Sequence, residues 1–217
     1  EGALKEVLVI ISALSVQDPR DRPSDKQEAA DLKHRQWQDK ESDFSTLINL
    51  WRHFEKQRQD LSRNQFEKYC RQNFVSPLRM REWRELHNQL HTIARDLKIK
   101  ENAKPASYEA VHRSILYGLL GQVGCRKETT KSEDTEKQKK INNKEFTGTR
   151  NRKFYMFPGS PLSKAPPVWV MAAEMIETSR LFGHHNAKIN PDWLPDLASH
   201  LVKKTYNEPH YSITNGQ

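Results

Sequence analysis

Apolar side chains recur at spacings of three and four residues through most of the first hundred positions of this 217-residue chain. Such spacing puts them on one face of an α-helix, whereas a strand would need strict alternation. Ser62 followed by Gln65 has the spacing of a capping box, which starts a helix. The two clearest apolar stripes are Phe44, Leu47, Ile48, Trp51 and Phe54, and Trp83, Leu86, Leu90, Ile93 and Leu97. Residues 1–99 are therefore predicted to form an all-helical bundle.

A short polar segment at Lys100–Pro105 reads as a linker. One further helix follows it, with apolar residues from Val111 to Val123, and is predicted to end at Gly124 because glycine commonly terminates helices. A final helix is expected near the carboxyl end of the chain. Asn190 would be its N-cap and Leu201 its last apolar residue.

Between these helices the apolar residues no longer recur at helical spacing. Residues 145–157 and 167–188 hold aromatic and β-branched side chains in short runs bounded by glycine and proline. Runs of this kind indicate short strands, and several short strands beside a helix suggest a small β-barrel. We therefore expect an α+β fold of two domains, an all-α bundle over 1–99 and a β-barrel with flanking helices over 100–217.

The segment 127–144 is almost purely polar, with Lys, Glu, Thr and Asn and a single large apolar residue, Ile141. A segment with so little apolar surface cannot offset the entropy of ordering. It is predicted to be a flexible loop, and the tail from Asn207 is expected to be loose.

The net charge of +8 favours polyanionic partners, of which nucleic acid is the leading class. The alternative is a basic protein whose lysines simply face water. The two cysteines, Cys70 and Cys125, have neither a CxxC spacing nor a histidine cluster nearby, which indicates reduced thiols in a cytoplasmic protein. No apolar run approaches the ~20 residues that cross a membrane.

Catalytic signatures are missing from the sequence. It contains no GxxxxGK[ST] loop, no glycine-rich dinucleotide motif and no nucleophile elbow. Its histidines are scattered, and the one adjacent pair, His184 and His185, would point to opposite faces of a strand. We therefore predict no catalytic residue, no metal site and no bound cofactor.

The stretch from Thr147 to Ser160 combines cationic and amide groups with aromatic residues on a predicted hairpin. Cations hold a phosphate backbone while bases stack on rings, so this composition suits single-stranded RNA. The alternative is an ordinary hairpin with Phe154 and Phe157 in the core and solvated basic side chains. Arg81 and Arg84 share one face of the predicted Trp83 helix and form a second candidate RNA contact. The alternative to RNA contact is that they pair with Glu82 and Glu85 on the same helix.

Several segments together resemble the carboxyl-terminal region of bacterial, HrpA-like DEAH-box RNA helicases. The resemblance covers nearly the whole chain, and the order and spacing of the segments make it specific. The segments are Ile11–Arg20, Leu61–Phe66, Leu78–Trp83, Glu145–Arg152, Phe157–Ser160, Trp169–Glu174, Glu177–Arg180 and Lys204–Pro209.

This resemblance implies a helical ratchet domain followed by an OB-fold, downstream of two RecA-like motor domains that this chain lacks. In that family the motors bind ATP and Mg²⁺ and move single-stranded RNA in the 3′-to-5′ direction while the accessory domains grip it. The implied RNA-facing residues of the OB loops are Thr149, Arg150, Asn151, Arg152, Lys153 and Ser160. The chain alone is expected to be a monomer without ATPase activity. The alternative function is a protein-interaction platform that docks the motors or another protein.

Overall fold

A computed structural model describes residues 1–126 and 145–199, and these ranges contain seven helices and five strands. The first six helices are α1 Leu4–Leu14, α2 Gln27–His34, α3 Asp43–Asp60, α4 Arg63–Gln72, α5 Pro77–Asp96 and α6 Tyr108–Gly118. The strands are β1 Val123–Cys125, β2 Glu145–Gly148, β3 Lys153–Met156, β4 Trp169–Glu177 and β5 Leu181–Lys188, and α7 Trp193–Leu197 follows them.

The five strands close into a barrel in the order β1-β2-β3-β5-β4. Only the β3–β5 pair is parallel among these neighbours. Phe146 and Phe154 stack inside the barrel with their ring centroids 5.4 Å apart, and both are buried. The predicted α+β fold, with a small OB-type barrel after a helical bundle, is confirmed.

Short polar side chains start the helices of the bundle. The hydroxyl of Ser42 accepts a hydrogen bond from the backbone N–H of Ser45 at the start of α3. Ser62 and Gln65 form the predicted capping box at the start of α4, where the Ser62 N–H donates to Gln65 Oε1 at 3.0 Å. These bonds satisfy N–H groups that a helix leaves without partners in its first turn.

Trp83 joins α5 to α1 at the centre of the bundle. Its side chain is fully buried, and its indole N–H lies 3.1 Å from the Val9 carbonyl and 3.0 Å from Ser12 Oγ. The apolar stripe predicted on the same helix is not buried along its whole length. Ile93 is 53% exposed and Leu97 is 67% exposed, so the prediction that they pack in the core is wrong.

The linker at Lys100–Pro105 is confirmed as a non-helical segment, and it is tethered to α1. The carboxylate of Glu6, buried to 6% exposure, accepts hydrogen bonds from the side chain of Asn102, from the N–H of Ala106 and from Arg52. A buried charge is tolerated only when it is paired and hydrogen-bonded, and Glu6 meets that condition.

The bundle and the barrel share one apolar cluster, which runs from Trp37 and Phe44 to Met171 and Ala187. Ser42 forms an isolated bridge with Ala187, and the neighbouring N–H of Lys188 donates to the Glu41 carbonyl at 2.8 Å. The division of the chain into domains at residue 100 stays a prediction.

The segment after α6 corrects one prediction. The helix ends at Gly118, and Val123–Cys125 forms a strand that pairs with both β2 and β4. These partners lie more than twenty residues further along the chain, so local spacing could not reveal the strand. The final helix is shorter than expected, with Asp192 at its N-cap. The flexible loop at 127–144, the end of the final helix at Leu201 and the tail lie outside the described residues.

His112 on α6 is a buried histidine held in one tautomer. Its Nδ1 lies 2.7 Å from the Tyr108 carbonyl oxygen, and its Nε2 lies 2.6 Å from Ser42 Oγ. Because a carbonyl only accepts, Nδ1 carries the hydrogen and Nε2 accepts from the Ser42 hydroxyl. Burial lowers the pKa of His112 from 6.5 to about 4, although the bond to Tyr108 acts in the opposite direction.

We expect the free energy of unfolding to fall as the pH drops from 6.5 to 4. The unfolded chain binds a proton on His112 at 6.5 and the folded chain does so only near 4, so protonation favours unfolding in this window. The loss is roughly 3 kcal/mol at about 1.4 kcal/mol per pKa unit. Urea titrations at several pH values would measure it. His112→Gln should show a flatter dependence over the same range, and equal slopes in both proteins would contradict the assignment.

Candidate nucleic-acid interface

The connection between β2 and β3 is a tight turn formed by Thr149–Asn151. The N–H of Gly148 donates to the Arg152 carbonyl at 2.8 Å, and the N–H of Arg152 donates to the Thr149 carbonyl at 3.2 Å. Arg150 and Asn151 both have φ of 57°, in the left-handed region. Asparagine tolerates that region better than arginine does, so Arg150 holds a conformation that is uncommon for its residue type.

Five of the predicted RNA-facing residues are brought together on this turn, and all five are exposed: Thr149, Arg150, Asn151, Arg152 and Lys153. Lys153 forms an ion pair with Glu145 at 2.8 Å, and this pair raises the pKa of the lysine. Within residues 1–126 and 145–199, Arg150 and Arg152 form no ion pair. Their guanidinium groups are therefore available to an anionic ligand.

A pocket of about 340 Å³ opens beside the turn. The Thr149 hydroxyl donates to the Gly121 carbonyl at 2.8 Å and fixes the turn against the Leu120–Gln122 segment. Residues of the turn, the barrel strands and that segment line the pocket, including Gln122, Thr149, Arg152, Phe154, Glu174 and Leu181. The pocket thus places one unpaired cation beside two side chains that carry acceptor oxygens, Gln122 and Glu174.

Gln122 lines this pocket, but its side-chain oxygen is not open to it. Its Oε1 is shielded from water and has no hydrogen-bond partner in the described part of the chain. Leaving a buried polar atom without a partner costs about 1–3 kcal/mol, so a position that keeps one calls for an explanation. Neither Gln122 nor Glu174 was identified from the sequence, because only the pairing of β1 with β4 brings their segments to the turn.

The aromatic residues of the hairpin have two different environments. Phe154 is 1% exposed inside the barrel, so it cannot serve as a platform for a base, in agreement with the alternative of an ordinary core hairpin. Phe157 is 42% exposed, and its ring stacks on His184 with the centroids 4.2 Å apart. Of the two, only Phe157 offers a face to a ligand.

Ser160 is separated from the other predicted residues. It is 6% exposed, and its hydroxyl donates to Asp43 Oδ2 at 2.8 Å. The N–H of Asn186 donates to the same oxygen at 2.7 Å. Burial raises the pKa of Asp43, whereas these two bonds lower it. Ser160 is thus engaged at the junction between α3 and the barrel, and its contact with RNA stays a prediction.

Arg81 and Arg84 lie in another part of the molecule, in a groove that shares no lining residue with the pocket beside the turn. Arg81 is 3.7 Å from Glu85, which is the intrahelical pairing considered as the alternative for this residue. Arg84 pairs instead with Glu55 of α3, Nε to Oε1 at 2.7 Å. Their contact with RNA also stays a prediction.

Over 1–126 and 145–199, no group of three or more His, Cys, Asp and Glu side chains is placed to hold a metal ion. Among the helices of the same ranges, none has the length and apolar character that a membrane span requires.

Comparison with known proteins supports the identification of the barrel as an OB-fold. The family model of the oligonucleotide/oligosaccharide-binding (OB)-fold matches residues 111–201. Over 215 residues, or 99% of the chain, the identity is 46% to the ATP-dependent RNA helicase HrpA of Escherichia coli (strain K12) and 42% to its homolog in Haemophilus influenzae. The pre-mRNA-splicing factor ATP-dependent RNA helicase prp22 of Schizosaccharomyces pombe is 26% identical over 93% of the chain. The chain spans 16% of the length of each relative.

Replacing Gln122 by methionine should not destabilise the fold. The side chain of similar shape removes an acceptor that has no partner, so we expect the free energy of unfolding to stay constant or to rise by up to about 1 kcal/mol. Urea unfolding measures this change, and Gln59→Met at an exposed helical position serves as the control. A loss of more than about 1 kcal/mol would show that the amide already has a structural role.

Proposed function

Because the chain is HrpA-like over 99% of its length and carries an OB-fold, we propose that it is an accessory RNA-binding segment of an ATP-dependent DEAH-box RNA helicase. In this proposal it grips single-stranded RNA while motor domains of the same protein translocate the strand in the 3′-to-5′ direction. ATP and Mg²⁺ belong to those motor domains. The segment works as a monomer in the cytoplasm.

The observation that carries the proposal is the pair of exposed guanidinium groups, Arg150 and Arg152, on a turn beside a pocket. Guanidinium groups bind phosphates through paired N–H donors, and every phosphate that is neutralised releases counterions. Contacts of this kind carry no sequence information, which suits a helicase that must hold any strand.

The pocket adds a contact to a base. An unstacked base presents its Watson–Crick edge, and single-stranded RNA is recognised at such edges. Glu174 is exposed and carries acceptor oxygens, so bases with an exocyclic amino group fit better than uracil, which has none.

The double variant Arg150→Ala, Arg152→Ala should weaken binding to single-stranded RNA and make it less sensitive to salt. For single strands, log K changes with log salt by about 0.7 per phosphate contact, so the slope should decrease by about 1.4 when two contacts are lost. Fluorescence anisotropy of a labelled single-stranded RNA across a salt series measures both quantities. A matched duplex tests the preference for single strands.

Arg95→Ala is the matched control, because Arg95 is an exposed arginine on α5 that lines neither the pocket nor the groove. Its removal changes the net charge by one and should leave the slope nearly unchanged. Equal losses in the control and in a single Arg152→Ala variant would mean that diffuse charge, and not this turn, attracts the RNA. Binding that is unaffected by the double variant would refute the assignment of the turn.

A further inference from the structure

A second basic site lies in the helical bundle, between α3, α4 and α5. These helices enclose a groove of about 590 Å³. Five arginines line it, together with a single acidic residue, Glu67. The arginines are Arg58, Arg63, Arg71, Arg81 and Arg84.

The carboxylates near the groove are shared among these arginines. Glu67 lies 3.4 Å from Arg63 and 3.4 Å from Arg71, and the side chains of both arginines are at least 70% exposed. Glu55 is likewise shared by Arg58 and Arg84. The two Glu67 pairs are exposed and contribute at most about 1 kcal/mol each, so an incoming carboxylate can replace or join them at little cost. The Arg84–Glu55 pair is mostly buried and stays in place.

Apart from Ser76, the rest of the lining is apolar and mostly aliphatic, formed by Leu61, Phe66, Pro77 and Leu78. Leu78 is 54% exposed although it lies between arginines of the groove. Phe66 is 7% exposed, and the guanidinium of Arg84 lies 6.0 Å from its ring centroid. The groove therefore has an apolar floor and a cationic rim.

This composition fits a peptide better than RNA. A base stacks on an aromatic ring or on a guanidinium plane, and the one aromatic ring of the groove is buried under Arg84, so only the arginines could serve a base there. Aliphatic side chains of a peptide match Leu61 and Leu78, and arginine is enriched at protein interfaces for bidentate contacts with carboxylates.

We propose that the groove between α3, α4 and α5 binds an acidic peptide segment of another protein or domain, which inserts one or two aliphatic side chains. Its carboxylates contact Arg63, Arg71 and Arg81, and its aliphatic side chains cover Leu61 and Leu78. The groove and the pocket beside the β2–β3 turn share no lining residue, so the chain can bind this peptide and RNA independently.

The test uses the full chain and a fluorescein-labelled probe, a peptide of about 16 residues with leucine at every third or fourth position and glutamate elsewhere. The triple variant Arg63→Glu, Arg71→Glu, Arg81→Glu should weaken binding of this peptide by about tenfold, because reversal of rim charges removes attraction and adds repulsion. Leu78→Ser changes no charge and should weaken it several-fold. Arg95→Glu, on the same helix as Arg81, should leave the affinity within about twofold.

Two further measurements make the outcome decisive. A peptide with glutamine in place of glutamate should bind at least about tenfold more weakly to the unaltered chain. Single-stranded RNA should bind the triple variant within about twofold of the unaltered chain, once the general effect of net charge is subtracted. On a logarithmic scale this effect is three times that of Arg95→Glu, because the triple variant changes the net charge by six and the single variant by two. Circular dichroism confirms that the triple variant is folded, and Leu78→Ser tests the site if it is not.

The proposal fails if the acidic peptide does not bind the unaltered chain, or if neither Leu78→Ser nor the triple variant weakens its binding. It also fails if the triple variant loses RNA and keeps the peptide, since the groove would then be an RNA surface. Loss of RNA binding in the Arg150→Ala, Arg152→Ala variant is a separate result and leaves the groove unaffected.

Discussion

The first turn of α3 is buried between the bundle and the barrel, and the arrangement of the two depends on how its polar groups are satisfied. Ser42 is fully buried, caps α3, and donates its hydroxyl hydrogen to His112 of α6. Asp43 accepts hydrogen bonds from Ser160 and from the N–H of Asn186 in β5. Because buried polar groups are costly when they lack partners, the start of this helix can hold the barrel in only one orientation.

This junction determines which side of the barrel remains for a ligand. Ser160 and β5 form hydrogen bonds with Asp43 on the side of the barrel that faces α3. The β2–β3 turn and the Leu120–Gln122 segment meet instead at the pocket. Small residues allow the barrel to close there. A Cβ atom at Gly124 would overlap the ring of buried Phe154, and one at Gly148 would come within 3.2 Å of the carbonyl oxygens of Arg152 and Val123. The pocket therefore depends on glycines as well as on Arg152.

Local features of the sequence predicted the fold well and the site only in part. Ser62 and Gln65 start α4 as expected, because a capping box acts within one helical turn. The exposure of Ile93 and Leu97, and the strand at Val123–Cys125, depend on segments distant in the chain, so spacing alone misjudged them. For the same reason Ser160, which was grouped with Arg150 by its position in a motif, lies instead at the junction with Asp43.

Net charge alone would assign both basic sites to RNA, yet their chemistry differs. At the β2–β3 turn, Glu145 is the nearby acid, and it is occupied by Lys153 and by the hydroxyl of Tyr155, so Arg150 and Arg152 remain unpaired. In the groove, by contrast, carboxylates from the chain itself already show how the arginines bind an acidic group, and the apolar side chains beside them are mostly aliphatic. A chain with a net charge of +8 can thus hold a nucleic acid and a protein at separate surfaces. What distinguishes the two surfaces is how their arginines are paired and which apolar groups lie beneath them.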